Sequence, residues 1–321
     1  MPVTPTHPAS AQHTVSPREW LPAWLGLTIV WGFVFSFIKL ALESFEPVQV
    51  AFGRCFLGAI TLLLVAAITR THLPRGRVVW LDLAVVALLL NTLPYLLFAW
   101  AETRVSSVLA GIWNASTPLF VLAFGLAITP WEKATREKLV GLAIGFLGAL
   151  VVLGFWDMGS GGDPLGSLAC IAATACYGIG MPYTRRRLVH RTEPAVSLMA
   201  GQLLMSSLQL GVLTLLFSTV PTSVEPLAAG AMVLLGVLGT GWAFLLNFRL
   251  IADVGGVAAA SVTYAMPVVS TAAGVLLLGE ALTWNQPVGA LVVLSGVALV
   301  QGLVHLPVRR TGAGIRDQDV H

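Results

Sequence analysis

The sequence predicts an all-α integral membrane protein of ten transmembrane helices, arranged as two inverted five-helix repeats. Three observations carry that expectation. Of the 321 residues 56% are apolar and only 10% charged, with a mean hydropathy of +0.85. A water-soluble domain carries about 25% charged residues, so this chain cannot cover its own surface with polar groups and needs lipid as its solvent. The apolar residues fall into ten unbroken runs of spanning length, and four sequence anchors recur in the same order in both halves.

Residues 1–22 are expected to form a cytoplasmic tail. Its first 17 residues are polar and rich in Pro, Ser and His, without the short apolar core of a signal peptide. The first repeat, 23–156, holds apolar runs at 24–42, 48–69, 78–100, 105–128 and 139–155. A helix needs about 20 apolar residues to cross the hydrocarbon core, whereas a barrel strand alternates over about ten, so each run is expected to be a helix. Residues 157–164, reading DMGSGGDP, form a linker. Their GSGGD has neither the Gly-Lys-Ser/Thr nor the preceding strand of a phosphate loop. The second repeat, 165–305, holds runs at 165–184, 195–217, 227–249, 256–278 and 287–304, and 306–321 is a second cytoplasmic tail.

Orientation is read from lysine and arginine. With ten spans, one side carries Arg18, Arg70, Arg75, Arg77, Lys133, Arg136, Lys138, Arg185, Arg186, Arg187, Arg191, Arg249, Arg309, Arg310 and Arg316. The other carries Lys39 and Arg104, and Arg54 lies inside a run. Cytoplasmic loops are enriched in these residues, which predicts a multi-pass protein of the inner (cytoplasmic) membrane with both termini in the cytoplasm. The basic residues sit in short loops and form no patch for nucleic acid. Cys55, Cys170 and Cys176 lie in apolar runs without a CxxC or a nearby histidine, so no disulfide, metal site or cofactor is expected.

The repeat rests on four anchors. Trp31-Gly32 matches Tyr177-Gly178 at an offset of 146, and Glu46-Pro47 matches Glu193-Pro194 at 147. Glu132 and Gly141 match Glu280 and Gly289 at 148, and the stretch from Trp113 through Pro118 matches Val262 through Pro267 at 149. Five helices per repeat is an odd number, so the second repeat must enter the membrane upside down relative to the first.

Three stretches carry a family resemblance: WGFVFSFIKLALESFEPVQVAFGRCFLGA in the first two runs, PYLLFAWAETRVSSVLAGIWNASTPLFVL in the third and fourth, and WAFLLNFRLIADVGGVAAASVTYAMPVVSTAAGVLLLGEALTWNQPVGA in the last three. Across 24–304 the chain resembles the drug/metabolite transporter superfamily, specifically proteins with two EamA-type domains. The first half departs from the family pattern in having Trp131-Glu132 where the second keeps Gly279-Glu280. The resemblance implies a ten-helix inverted-repeat transporter with a central substrate cavity, often an exporter of amino acids or related metabolites. Small multidrug-resistance relatives depend on a deep glutamate in the first helix, and no acid occurs between Trp24 and Ser36. Proton-coupled export of cationic drugs is therefore disfavoured.

Several residues stand out within the spans. Pro118 and Pro267 occupy matching helices, each removing a backbone hydrogen bond; they serve either as hinges for rocking repeats or as packing elements. Asn91, Tyr95 and Phe98, at i, i+4 and i+7, share a face, and Thr240, Phe244 and Asn247 repeat that spacing at 149. Trp31 and Phe35 match Tyr177 and Met181, and Asn114, Thr263 and Tyr264 complete a lining of aromatic walls with amide and hydroxyl groups, suited to a small, partly apolar solute. The alternative for each is a hydrogen bond to a neighbouring helix. Arg54 stands about six residues into its helix, roughly 9 Å deep. It is either an interfacial arginine paired with Glu43 or Glu46, or a contact for a substrate carboxylate. Gly141, Gly145 and Ala149 at four-residue spacing predict close helix packing between the halves.

The expected function is a carrier of small metabolites, exporting amino acids by alternating access as a monomer that acts as an internal pseudo-dimer, with the solute and the bilayer as its partners. A multidrug or nucleotide-sugar-like carrier is the alternative within the same fold. An intramembrane enzyme would need a serine with a base, paired aspartates or a histidine-rich metal site, and none lies within the spans.

Overall fold

The computed structural model describes residues 16–105, 107–128, 134–152, 154–157, 163–278 and 283–304. Trp131, Glu132, Gly279 and Glu280, most of the linker, residues 1–15 of the first tail and all of the second lie outside these residues, and the first helix already begins at Pro17, inside the expected first tail. Among the described residues every regular element is helical, and each apolar run holds one helix. Helix α1 runs as Pro17–Gly32 and Val34–Ala41, α2 as Pro47–Ile68, and α3 as Arg77–Ala87, a π turn at Leu88–Thr92, and Leu93–Ala101. Helix α4 is Ser107–Ala115 and Thr117–Ile128, α5 Arg136–Val152, α6 Pro164–Arg187 and α7 Ala195–Phe217. Helix α8 is Pro226–Gly236, a π turn at Val237–Trp242, and Ala243–Val254; α9 is Gly256–Ala260 and Val262–Leu278; α10 is Asn285–Val300.

Seven of these, α1 to α4 and α6 to α8, are long and apolar enough to cross a membrane. The chain is a multi-pass membrane protein. Helices α5, α10 and the longer part of α9 have 17, 16 and 17 described residues. Ile68, Leu215, Leu216, Phe217 and Leu291 point outward without cover, as side chains facing hydrocarbon do.

Local chemistry sets several of the boundaries. Helix α2 opens on a capping box in which the Gln49 side chain accepts from the Glu46 amide at 2.9 Å, with Pro47 in its first turn. Helix α6 opens on Asp163, whose carboxylate accepts from the Leu165 amide at 2.8 Å ahead of Pro164. Between α8 and α9 the chain turns at Gly255 with φ +89°, a left-handed value that suits glycine. Helix α9 breaks at Ser261. Its hydroxyl accepts from Trp24 Nε1 at 3.2 Å and from Gln301 Nε2 at 3.1 Å, while Gln301 also reaches the Ala258 carbonyl at 3.0 Å. The break in α4 falls at Ser116, beside Pro118, whereas Pro267 lies inside α9, six residues beyond its break. The two prolines match in sequence, but the two breaks do not.

The repeats interlock. Helix α2 packs on α7 and α5 on α10, while α4 and α3 pack on α6, and α9 and α8 pack on α1. Exchanging the repeats maps each of these pairings onto itself or onto another of them. The α5–α10 seam is the tightest. A Cβ added at Gly148 would lie 2.6 Å from the Val293 amide nitrogen, one at Gly141 2.8 Å from the Gly296 carbonyl, and one at Gly289 2.6 Å from the Val152 nitrogen. Only hydrogen in place of a side chain lets two backbones approach this closely. Gly148→Ala should therefore lower the melting temperature of the purified protein in detergent, by the equivalent of about 1–3 kcal/mol of overpacking. Gly230→Ala, at a site with nothing within 4 Å, should leave it unchanged.

Candidate functional site

A cavity opens between the repeats. The space it leaves for the centre of a water-sized sphere is about 60 Å³, below the roughly 300–1,000 Å³ usual for small-molecule sites, so the cavity is narrow as it stands. Both halves contribute to it: Trp31, Val34, Phe35 and Ile38 from α1, Arg54 from α2, Leu90, Tyr95 and Phe98 from α3, and Asn114 and Thr117 from α4 line one part. Tyr177 and Met181 from α6, Phe244 and Asn247 from α8, and Thr263 and Met266 from α9 complete the wall.

The walls are ordered by ring contacts. Phe35 meets Phe98 edge-on at 5.6 Å between centroids, and Phe98 stacks on Tyr177 at 6.2 Å, distances at which aromatic pairs attract. Trp31 donates its indole N–H to the Gly239 carbonyl, in the π turn of α8, at 3.1 Å. Among the described residues Asn114 Nδ2 has only the weak acceptor Met266 Sδ, at 3.7 Å. Thr117 Oγ1 and Asn247 Oδ1 are buried with no hydrogen-bond partner among the described residues. Unpaired buried polar atoms are costly, so these two are groups with capacity left for a solute or water.

Arg54 is only 4% exposed. Its guanidinium carbon lies 3.5 Å from the centroid of the Tyr95 ring, and its Nε donates to Thr240 Oγ1 at 3.1 Å. It makes no ion pair among the described residues. Pairing with Glu43 or Glu46 is not what the structure contains: the Glu46 carboxylate accepts from the Thr219 hydroxyl at 2.8 Å instead.

Ten of the thirteen lining residues expected from sequence, together with Arg54, meet at this cavity; Asn91, Thr240 and Tyr264 do not. Asn91 sits in the π turn of α3, where its amide oxygen accepts from Gln202 Nε2 at 2.7 Å. The wider turn shifts the phase of the helix, so Asn91 faces α7 while Tyr95 and Phe98 face the cavity. Thr240 is turned away in the same manner by the π turn of α8. Tyr264 is displaced by helix geometry, since adjacent residues stand about 100° apart and Thr263 takes the cavity side. The Tyr264 ring packs in the space left by Gly145, and its hydroxyl donates to the Leu142 carbonyl at 3.1 Å. Val34, Ile38, Leu90, Thr117 and Met266 line the cavity in addition to the residues expected from sequence. Thr117 carried a signal, as a hydroxyl beside the helix-breaking Pro118, while the aliphatic residues carried none.

The sequence profile of the EamA-like transporter family matches residues 19–154 and again 164–301. The chain belongs to the EamA-like transporter family. It is 30% identical over 296 residues to YedA, an uncharacterized inner membrane transporter of Escherichia coli (strain K12), covering 88% of this chain and 92% of the relative. Over 287 residues it is 25% identical to a protein of the same organism named a probable amino-acid metabolite efflux pump, covering 84% and 91%. A solved crystal structure shares the fold with a TM-score of 0.73 at 20% identity, over 90% of this chain and 98% of that one.

In this EamA-like transporter the two ends of the bundle are tied differently. At one end Asp82 of α3, its side chain only 4% exposed, accepts from Arg187 Nε at 3.0 Å, Arg191 Nη2 at 2.6 Å and the Tyr183 hydroxyl at 2.9 Å, joining the repeats through charge. At the other end Gln49 Nε2 donates to the Thr219 carbonyl at 2.5 Å, Lys39 Nζ to the Glu102 carbonyl at 3.2 Å, and Arg104 pairs with Asp163 at 2.8 Å. Hydrogen bonds from Thr219 and Ser218 hold the Glu46 carboxyl below its ordinary value, and the bond from Arg104 does the same for Asp163. These ties are fully formed above the ordinary carboxylate range and are lost as pH falls through the lowered values. Asp82→Asn keeps the shape but removes the charge from three donors. Losing charge-assisted bonds of about 1.5–3 kcal/mol should lower the melting temperature at pH 7 more than Asp163→Asn does.

Proposed function

We propose that the chain exports small metabolites of the amino-acid class across the inner membrane by alternating access, as a monomer of ten crossings in two inverted repeats with both termini in the cytoplasm. The observation that carries this reading is the cavity itself. It is enclosed between two interlocked repeats, walled by aromatic rings, and keeps unpaired polar atoms on Thr117 and Asn247. A solute of that class offers the matching groups. Its apolar body lies among Trp31, Phe35, Tyr95 and Tyr177, its nitrogen donates toward Asn247, Asn114 or Thr263, and its carboxylate meets Arg54.

Alternating access needs two packings of similar free energy. The pairings that map onto each other when the repeats are exchanged support such a pair of states. Pro118 and Pro267 are the proposed hinges, one beside the break in α4 and the other within α9. The printed name of the efflux-pump relative supports the substrate class.

Purified protein in proteoliposomes should move at least one radiolabelled amino acid in a panel, with the same rate whether or not a pH gradient is imposed. Silence across the panel removes the substrate class, and acceleration by the gradient reveals proton coupling. Trp31→Ala and Asn114→Ala should each slow transport by about tenfold, equivalent to about 1.4 kcal/mol, while membrane expression stays intact. Unchanged kinetics in both would reduce these residues to packing. Tags at the two ends should both be protected from protease in sealed right-side-out vesicles.

A further inference from the structure

The two repeats build one contact twice, with different chemistry. In the first repeat Gly53-Arg54 lies on α2; in the second Gly201-Gln202 lies on α7, 148 positions later. Arg54 reaches Thr240 in the π turn of α8, and Gln202 reaches Asn91 in the π turn of α3. Thr240 and Asn91 are themselves 149 positions apart, as are Leu88 and Val237, where the two π turns begin. Each repeat thus ties its second helix to the widened turn of the other repeat's third helix.

As a structural tie the neutral version is sufficient. Gln202 is buried and pairs amide to amide with Asn91, and neither lines the cavity. The version at Arg54 keeps a positive charge in a buried place, balanced among the described residues only by a hydroxyl and the face of a tyrosine. No carboxylate lines the cavity among the described residues, and the terminal nitrogens Nη1 and Nη2 of Arg54 donate to no described residue. A buried guanidinium without an acid is under-compensated, and its planar fork of donors fits an oxyanion in bidentate fashion. Thr240 has another bond to fall back on, because its hydroxyl donates to the Leu235 carbonyl at 2.9 Å.

We infer that a solute enters the cavity acid group first, and that its carboxylate chelates the edge of the Arg54 guanidinium formed by Nε and one Nη, taking Nε from Thr240 and untying α2 from the π turn of α8. This rests on the carrier reading, which already sets a carboxylate on Arg54, and adds two things to it: binding requires that acid group, and a bond between the repeats breaks when the solute binds. The Gln202–Asn91 tie stays closed during this step, since neither of its residues lines the cavity. Recognition is therefore one-sided although the fold is repeated.

Equilibrium dialysis of the full chain in lipid nanodiscs, with empty nanodiscs as the blank, tests this with three radiolabelled compounds of one shape: phenylacetate, phenylacetamide and phenethylamine. Phenylacetate should bind saturably and at least tenfold more tightly than the amide, and the amine should not exceed the blank. Arg54→Gln, which copies the residue the second repeat already uses, should drop phenylacetate to the affinity of the amide and leave the amide unchanged. Thr240→Val, which removes the competing acceptor, should tighten phenylacetate by threefold or more without affecting the amide, and it carries the test if Arg54→Gln does not fold. Equal binding of acid and amide, binding of the amine, no binding of any of the three, or a Thr240→Val protein that binds phenylacetate more weakly overturns the inference. Flux in proteoliposomes without acid preference would remove this inference and leave the carrier; acid-selective binding without flux of any solute would do the reverse.

Discussion

Lipid cannot hydrate a polar group, so any donor or acceptor carried into the bundle has to find its partner there. Much of the architecture follows from that constraint. Tyr264 reaches the Leu142 carbonyl, Gln202 reaches Asn91, Trp24 and Gln301 converge on the hydroxyl at the break of α9, and Trp31 caps a carbonyl in the π turn of α8. Nearly all of these bonds join one repeat to the other, so satisfying the polar atoms and assembling the halves are the same event. Two of the atoms left without partners, on Thr117 and Asn247, share the cavity wall.

The packing divides the bundle into parts of different character. Along α5 and α10 the backbones approach through glycine, and any side chain added to that seam would strike a main chain. None of α5, α7 or α10 reaches the cavity. Its wall comes from α1, α2, α3, α4, α6, α8 and α9, the group that includes every interrupted helix: π turns in α3 and α8, breaks in α4 and α9, and a short irregularity between the two parts of α1. Interrupted helices have fewer internal bonds to lose, so a rearrangement costs least where the cavity lies. In the proposed carrier the glycine seam is the fixed axis and the interrupted helices are what moves.

The repeat is symmetric in shape and asymmetric in charge. Asp82 with Arg187 and Arg191 closes one end through an ionic cluster, and its repeat-related position, 149 residues on, is Ala231. Near the cavity the same inequality separates Arg54 from Gln202. Two states of such a bundle cannot be equivalent in energy, because opening one end pulls a buried carboxylate from two partly exposed arginines while opening the other separates chiefly neutral hydrogen bonds and one partly exposed pair.

How much of this was legible beforehand depended on the range of the interaction. Composition fixed the solvent, since a chain with one charged residue in ten has no way to face water, and the unbroken apolar runs fixed the helices. Recurring anchors such as Glu46-Pro47 and Glu193-Pro194 revealed the duplication, and aromatic residues one turn apart marked most of the cavity wall. Two things escaped. The phase of α3 and α8 depends on π turns whose only local hints are Pro94 in one and Gly239 and Gly241 in the other, so Asn91 read as a cavity residue when it belongs to a bond with α7. The partner of Arg54 escaped because Thr240 is 186 residues away, while Glu43 and Glu46 were the nearby acids. Periodicity and composition are properties of a segment, and the sequence determines them by itself. Which face of a helix meets which neighbour, and whether a buried charge finds a carboxylate or only a hydroxyl and a ring, is decided when distant segments pack, and only the tertiary structure contains that choice.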